Sequence, residues 1–328
     1  MQAIKCELCG SNQLIKKDGY YQCEHCGTKY TLEEARKLIV SGTVSIDGDV
    51  KTKETDFIIR GGVLEKYNGE SIDVKIPNNV VVIGKEAFSG LSGIRSIEIP
   101  EGVTEIGDCA FKSCKHLMRI NIPNNVTYIG NYALSKCTNL VDIEIPDTVT
   151  SIGSCAFSGC TNLKVIHISD RVTCIGGYAF SNCTNLENIF LPNSIVNIGY
   201  HAFEKCFSLK SLTLPIGLRE IDYGSFKDCK NLNKIVIPNS VEKIGDEAFS
   251  GCTELIYLNI PDSVRHIGDA AFWECNKLQD IKCPERFLNY FTNTPFYRRR
   301  KNLCQHCGGE FKGIFNKVCS TCSKPKDY

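Results

Sequence analysis

Apolar residues recur along most of the chain in one pattern that is repeated without insertions. The pattern reads LxxIxIPxxVxxIGxxAFxxCxxL. Its IG position returns every 23 residues, at Ile83, Ile106, Ile129, Ile152, Ile175, Ile198, Ile221, Ile244 and Ile267. A strict period of this length is typical of a solenoid, in which each unit forms one coil and stacks on its neighbours. The sequence therefore predicts a repeat solenoid of nine stacked units.

Each unit is predicted to contain two extended segments and a turn. Alternating apolar residues in LxxIxIP predict a strand, with Ile120 and Ile122 pointing inward and Arg119 and Asn121 pointing outward. The proline ends this strand because it cannot donate a ladder hydrogen bond. A second extended piece, VxxIG, ends in a glycine that suits a turn. The spacing of AFxxCxxL predicts a helical turn or short helix, so the fold class is β-rich with short helical turns.

One position of the repeat is a cysteine in all units except the first, where it is Leu91. The position therefore favours a buried, moderately small apolar side chain, and a free cysteine behaves in that way. Its S–H group is also a weak donor that could reach a turn carbonyl in each coil. We call these residues the thiol column: Cys114, Cys137, Cys160, Cys183, Cys206, Cys229, Cys252 and Cys275.

Three other roles for the thiol column are alternatives to packing. Zinc binding needs four ligands in one closed set, which single cysteines in a row do not supply. Disulfides between neighbouring coils fit the Cα distance window, but parallel Cβ directions oppose them. Nucleophilic catalysis needs a base, and no histidine or basic residue recurs beside the cysteines. We therefore interpret the column as structural, and assign no role to Cys109, Cys155, Cys174 and Cys283.

Further cysteines form doubled CxxC pairs near the two ends of the sequence. Four thiolates suit a closed tetrahedral zinc site with no open position for catalysis. The alternative is a redox CxxC motif, which occurs singly and on a different fold. The sequence thus predicts two structural Zn²⁺ ions, with the ligands Cys6, Cys9, Cys23 and Cys26 in one site and Cys304, Cys307, Cys319 and Cys322 in the other.

The repeat is similar to the BspA-type leucine-rich repeat family, whose units carry the same pattern over about residues 76–283. Residues 57–75 resemble the N-terminal cap of that family. The stretch CELCGSNQLIKKDGYYQCEHCG resembles the transcription-factor-IIB-type zinc ribbon found in many bacterial proteins. These resemblances imply a non-catalytic scaffold, and they also imply a surface adhesin as a less favoured alternative.

Five segments follow from these patterns. They are a zinc ribbon with a short helix (1–40), a linker (41–56), an N-terminal cap (57–75), the solenoid with its C-terminal cap (76–297) and a basic zinc ribbon (298–328). Phe287, Tyr290, Phe291 and Phe296 are expected to close the C-terminal end of the solenoid, because an open end would expose core and strand edges.

Charge and motifs restrict the function classes. The net charge is +1, but residues 298–328 carry eight Lys/Arg against two Asp/Glu. No apolar run approaches the roughly 18–20 residues of a membrane span, and no leader pattern is present, so a cytoplasmic protein without a membrane partner is predicted. Nucleotide-binding, hydrolase and metalloprotease motifs are absent, which predicts neither an enzyme nor a small-molecule substrate. His116, His167, His201 and His266 share no repeat position and are expected at the surface.

Two binding hypotheses remain. The first is a protein partner on the exposed strand face, through Val165, His167, Phe190, Val236 and Tyr257. The second is nucleic acid, bound by Arg298, Arg299, Arg300 and Lys301 beside the aromatic residues of the C-terminal ribbon.

Overall fold

The computed structural model describes residues 56–292 and, before them, the backbone of three short strands. The chain divides into two compact units, Met1–Asp56 and Phe57–Tyr328. In the first unit, the strands β1 (Leu14–Lys17), β2 (Tyr20–Cys23) and β3 (Lys29–Thr31) form an antiparallel sheet in chain order. The boundaries 1–40, 41–56 and 298–328 lie mostly outside the described residues and stay predictions.

The second unit begins with the hairpin β4 (Phe57–Arg60) and β5 (Val63–Tyr67), and every following coil carries one three-residue and one two-residue strand. The three-residue strands are β6 (Asp73–Lys75), β8 (Ser96–Glu98), β10 (Arg119–Asn121), β12 (Asp142–Glu144), β14 (Val165–His167), β16 (Asn188–Phe190), β18 (Ser211–Thr213), β20 (Lys234–Val236), β22 (Tyr257–Asn259) and β24 (Asp280–Lys282). The two-residue strands are β7 (Val82–Ile83), β9 (Glu105–Ile106), β11 (Tyr128–Ile129), β13 (Ser151–Ile152), β15 (Cys174–Ile175), β17 (Asn197–Ile198), β19 (Glu220–Ile221), β21 (Lys243–Ile244) and β23 (His266–Ile267).

Neighbouring coils pair in parallel and in register. Ile120 of β10 faces Ile97 of β8, and Ile129 of β11 faces Ile106 of β9, so each residue meets its counterpart 23 positions away. The expected alternation is present, because Ile120 is buried while Arg119 is exposed. The sequence therefore predicted the solenoid, its period and the inward face of each strand.

The segment after each IG position is a series of tight turns. The expected short helix does not form in the described coils, because two residues per coil adopt left-handed backbone conformations, for example Tyr132 (φ 57°) and Lys136 (φ 61°). This conformation turns their N–H groups toward the next coil, where they donate to the carbonyls of Ser154 (2.8 Å) and Ser158 (2.7 Å). Bonds to the next coil thus replace the hydrogen bonds that a helix would form within itself.

The IG glycine has a different purpose from the turn expected for it. Its φ is not positive, yet a Cβ atom built on Gly130 would lie 2.5 Å from the carbonyl carbon of Gly107 in the preceding coil. The two backbones approach so closely that a side chain would separate the coils. Glycine is therefore required here by the stacking distance.

The core contains a stack of phenylalanine rings, one from nearly every coil. Phe180 and Phe203 lie 5.3 Å apart between ring centroids at an interplanar angle of 11°. Offset stacking of this kind adds to the stabilisation from burial alone. Leu134 interrupts the stack between Phe111 and Phe157, and all three side chains are fully buried.

Aromatic residues continue the stack into both ends of the solenoid. At the first end, Tyr67 of β5 lies 5.3 Å from Phe88. At the other end, a 3-10 helix (Glu285–Phe287) leads into the short helix α1 (Leu288–Thr292), and Phe291 lies 5.6 Å from Phe272. The Tyr290 hydroxyl accepts a hydrogen bond from Ala271 N (2.9 Å). Phe287 is partly buried against the core, and Phe296 lies outside the described residues.

Candidate interaction surfaces

The thiol column lies in the core of the solenoid. Each member is at most 6% exposed, and the S–H group donates to a carbonyl of the preceding coil. Cys183, for example, donates to Phe157 O at 3.2 Å. Burial raises the pKa of Cys160 and Cys275 to about 12 and that of Cys183 well above its ordinary value. The thiols are therefore neutral at physiological pH, which opposes both metal ligation and nucleophilic attack.

The remaining cysteines of the described region are free thiols in mixed surroundings. Cys155 is buried, whereas Cys109, Cys174 and Cys283 are half-buried. Burial raises the pKa of Cys174 and Cys283. In the residues that the structure describes, no three His, Cys, Asp or Glu side chains converge as a metal site.

The predicted zinc ligands fall almost entirely outside the described residues. Cys23 is the last residue of β2, where it faces Leu14 of β1. The other predicted ligands, Cys6, Cys9, Cys26, Cys304, Cys307, Cys319 and Cys322, lie outside that region, as do Arg298, Arg299, Arg300 and Lys301. Four cysteine thiolates in two CxxC pairs nevertheless fit Zn²⁺ by the chemistry of the donor set.

The outward side chains of the three-residue strands form a continuous surface, which we call the long-strand face. Phe190 is 71% exposed, although it sits in a strand of a regular three-stranded group. Val165 and Val236 are 39% and 45% exposed, His167 is exposed, and Tyr257 is half-buried. His167 lies directly beside Phe190 in the register of β14 and β16. The five predicted contact residues therefore share one face, with Tyr257 at its margin.

Charged side chains occupy the ends of this face. Near its first end, Lys75 Nζ lies 2.7 Å from Glu98 Oε1, and Ser96 Oγ donates to Asp73 Oδ1. Both partners of the ion pair are exposed, so solvent screening leaves it only a small contribution to stability. The uncharged and largely apolar part of the face lies between β14 and β20.

A second surface group lies on the turns that follow the IG positions, and the sequence did not predict it. His201 was expected to be exposed, but it is 7% exposed because it packs between the rings of Tyr178 (4.7 Å) and Tyr223 (4.6 Å). Tyr200 lies 5.2 Å from Tyr178. We call Tyr178, Tyr200, His201 and Tyr223 the tyrosine cluster. His116, His167 and His266 are exposed, as expected.

A polar groove of about 350 Å³ lies near the proline turns of the later coils. Arg219, Glu242 and Arg265 line it, and Arg219 Nη1 already pairs with Glu242 Oε1 at 2.8 Å. Ion pairing between the lining groups leaves the groove without a nucleophile and base in contact. It carries no arrangement typical of a catalytic site.

Comparisons with known proteins agree with this architecture. The profile for the BspA type leucine rich repeat region matches residues 66–187, 136–256 and 219–323, and the profile of a zinc ribbon domain matches residues 1–32. The N-terminal ribbon is thus found, while its expected transcription-factor-IIB type and the second ribbon stay predictions. No curated protein matches the chain.

Solved structures of two bacterial leucine-rich repeat proteins are similar to the chain. One, from Bacteroides ovatus, has 31% identity and a TM-score of 0.58, over 73% of this chain and 76% of that chain. The other, from T. pallidum, has 30% identity and a TM-score of 0.48, over 63% of this chain and 91% of that chain. Within the described residues, no helix is both long and apolar enough to cross a membrane. The protein belongs to the BspA-type leucine-rich repeat family.

Proposed function

We propose that the protein is a non-catalytic scaffold that binds a protein partner through the long-strand face. The observation that carries this proposal is the exposure of Phe190, 71% of whose surface faces solvent within a regular strand. Its neighbours Ile189 and Leu191 are buried, so Phe190 adds nothing to the core. A large exposed aromatic side chain on a rigid sheet is a typical anchor of a protein interface.

The surroundings of Phe190 support a protein partner. Val165 and Val236 extend the apolar area over several coils, and polar side chains such as Asn188 and Thr213 lie between them. An apolar centre with a polar rim is the usual anatomy of a protein interface. Burying the Phe190 side chain fully would contribute about 1.5–3 kcal/mol to binding.

The zinc ribbons belong to this proposal as structural modules. The first Zn²⁺ ion would be held by Cys6, Cys9, Cys23 and Cys26, and the match of residues 1–32 to a zinc ribbon domain supports this assignment. The second ion would be held by Cys304, Cys307, Cys319 and Cys322. Bound zinc supplies the folding free energy that segments of this size cannot obtain from a core. Thiolate ligands persist in a reducing compartment, which favours the cytoplasm.

The test begins with affinity capture of the partner, from lysate treated with nuclease so that nucleic acid cannot bridge the two proteins. Its affinity is then measured for wild type and for the variant Phe190→Asp with Val236→Asp. Both side chains are exposed, so the variant should fold, and binding should weaken at least 30-fold, equivalent to about 2 kcal/mol. Ile216→Asp is the matched control, because Ile216 is 68% exposed but lies off the long-strand face. Equal affinity of the double variant and wild type would exclude this face.

A further inference from the structure

The tyrosine cluster is an aromatic surface that the repeat pattern does not require. Tyr200 and Tyr223 occupy one position of adjacent coils and are 49% and 42% exposed. Other coils carry Asp108, Asn131 or Ser154 at this position, without loss of the coil geometry. The tyrosines are therefore dispensable for the fold and need another explanation.

Two glycines make room for the rings of the cluster. A Cβ atom on Gly177 would lie 2.8 Å from Tyr200 Cε1, so the Tyr200 ring lies directly over the backbone of the preceding coil. A Cβ atom on Gly224 would lie 2.5 Å from His201 Cε1. The equivalent positions in several other coils bear side chains, for example Ser154 and Cys155. The sequence thus departs from its own pattern where the rings need space.

His201 holds the cluster from below. Its ring stacks on Tyr178 at an interplanar angle of 7° and meets Tyr223 edge-on at 85°. Nδ1 lies 3.2 Å from Glu204 Oε2, yet it makes no aligned hydrogen bond within the described part of the chain. A buried, polar and unpartnered atom beneath exposed rings is costly, and such atoms are common at binding sites.

The surroundings of the cluster are acidic. Asp246 and Asp269 follow Tyr223 at the same position of the next two coils, and both are exposed. Among the described residues, neither carboxylate forms an ion pair with a basic side chain. In contrast, the nearby lysines are already paired, as Lys205 lies 2.9 Å from Glu204 and Lys243 lies 2.7 Å from Glu220. The available charge beside the exposed rings is therefore negative.

We propose that the tyrosine cluster and the adjoining aspartates form a second docking surface, which binds arginine side chains of a basic peptide segment in a partner protein. A guanidinium group can stack on the exposed faces of Tyr200 and Tyr223 and pair with Asp246 or Asp269. Arginine suits this surface better than lysine because its planar group stacks on aromatic rings and binds a carboxylate through two hydrogen bonds. This surface is distinct from the long-strand face.

The test uses fluorescent nonapeptides in which glycine alternates with arginine, lysine, glutamate or proline, titrated with the full chain at 0.15 M salt. The arginine peptide should bind more tightly than the lysine peptide, and the glutamate and proline peptides should not bind. The double variant Tyr200→Leu with Tyr223→Leu keeps the apolar area but removes both rings, so affinity for the arginine peptide should fall about tenfold. Asp246→Asn with Asp269→Asn should lower the affinity and its dependence on salt.

Tyr132→Leu is the matched control. Tyr132 is also exposed (42%), but Lys112 Nζ already covers its ring at 5.2 Å, so its replacement should leave binding unchanged. Circular dichroism of each variant verifies the fold. Equal binding of the proline peptide, or unchanged affinity in a folded Tyr200/Tyr223 double variant, would overturn the proposal. Phe190→Asp should have no effect here, which separates this result from the test of the long-strand face.

Discussion

The gap in the phenylalanine stack gives a direct test of how the core is stabilised. Leu134 lies between Phe111 and Phe157, in a position where eight units carry phenylalanine. Where the stack is intact, ring centroids of successive coils lie 5.2–5.4 Å apart. Substitution of Leu134 by phenylalanine would create two such contacts, because the coils pair in register on both sides.

The expected effect follows from these contacts. Each stacked aromatic pair contributes about 0.5–1.5 kcal/mol beyond area burial, so two pairs contribute about 1–3 kcal/mol. Local repacking around a larger side chain costs about 1 kcal/mol or more. We therefore expect Leu134→Phe to raise the free energy of unfolding by about 1 kcal/mol.

The assay is urea denaturation of the full chain, followed by circular dichroism. The reverse substitution, Phe203→Leu, is the matched control, since Phe203 has stacked neighbours on both sides at 5.3 and 5.4 Å. It should lower the free energy of unfolding by about 1–3 kcal/mol. A loss of stability in Leu134→Phe similar to that of the control would refute the reasoning, because it would show that the third coil lacks space for a ring.

Three further predictions concern the thiols, the buried histidine and zinc. The thiol column should resist iodoacetamide at pH 8 in the native protein, while Cys109, Cys174 and Cys283 react, as counted by mass spectrometry; equal labelling of both groups would contradict the burial described above. The pKa of His201 is lowered by burial, so the folded state binds fewer protons and loses stability as pH falls below about 6.5. His201→Phe should remove that part of the pH dependence between pH 7 and 5, whereas the exposed His116→Phe should not. Metal analysis should find two zinc ions per chain and one after Cys6→Ser with Cys9→Ser; an unchanged count would exclude the N-terminal site.

The sequence predicted those features that the repeat imposes on every coil. Ile120 and Cys183 are buried because the same apolar spacing returns in each unit, and a period of this kind has one simple structural solution. The helical turn was wrong for a physical reason. Turns and helices both space apolar residues at three and four, so the pattern alone cannot reveal that Tyr132 and Lys136 turn their N–H groups toward the next coil.

Features that belong to single coils were harder to predict. His201 is buried because Tyr178 and Tyr223, which are 23 and 22 residues away, come from adjacent coils and cover its ring. Nothing in the local sequence distinguishes it from the exposed His116. Alignment of the units does contain a signal, since Gly177 and Gly224 replace other residues beside the aromatic ones.

The left-handed residues at two fixed points of each coil determine how the length of this protein can change. Each such residue donates to a carbonyl 22 positions later, as Tyr132 does to Ser154 and Tyr178 does to Tyr200. An insertion of one residue would misalign these donors in the altered coil, whereas duplication or deletion of a whole unit would leave every donor opposite its acceptor. The spacing between surface features is therefore adjustable in steps of one coil, about 4.8 Å. Gene duplication can thus lengthen or shorten the molecule as a ruler while both of its ends stay closed.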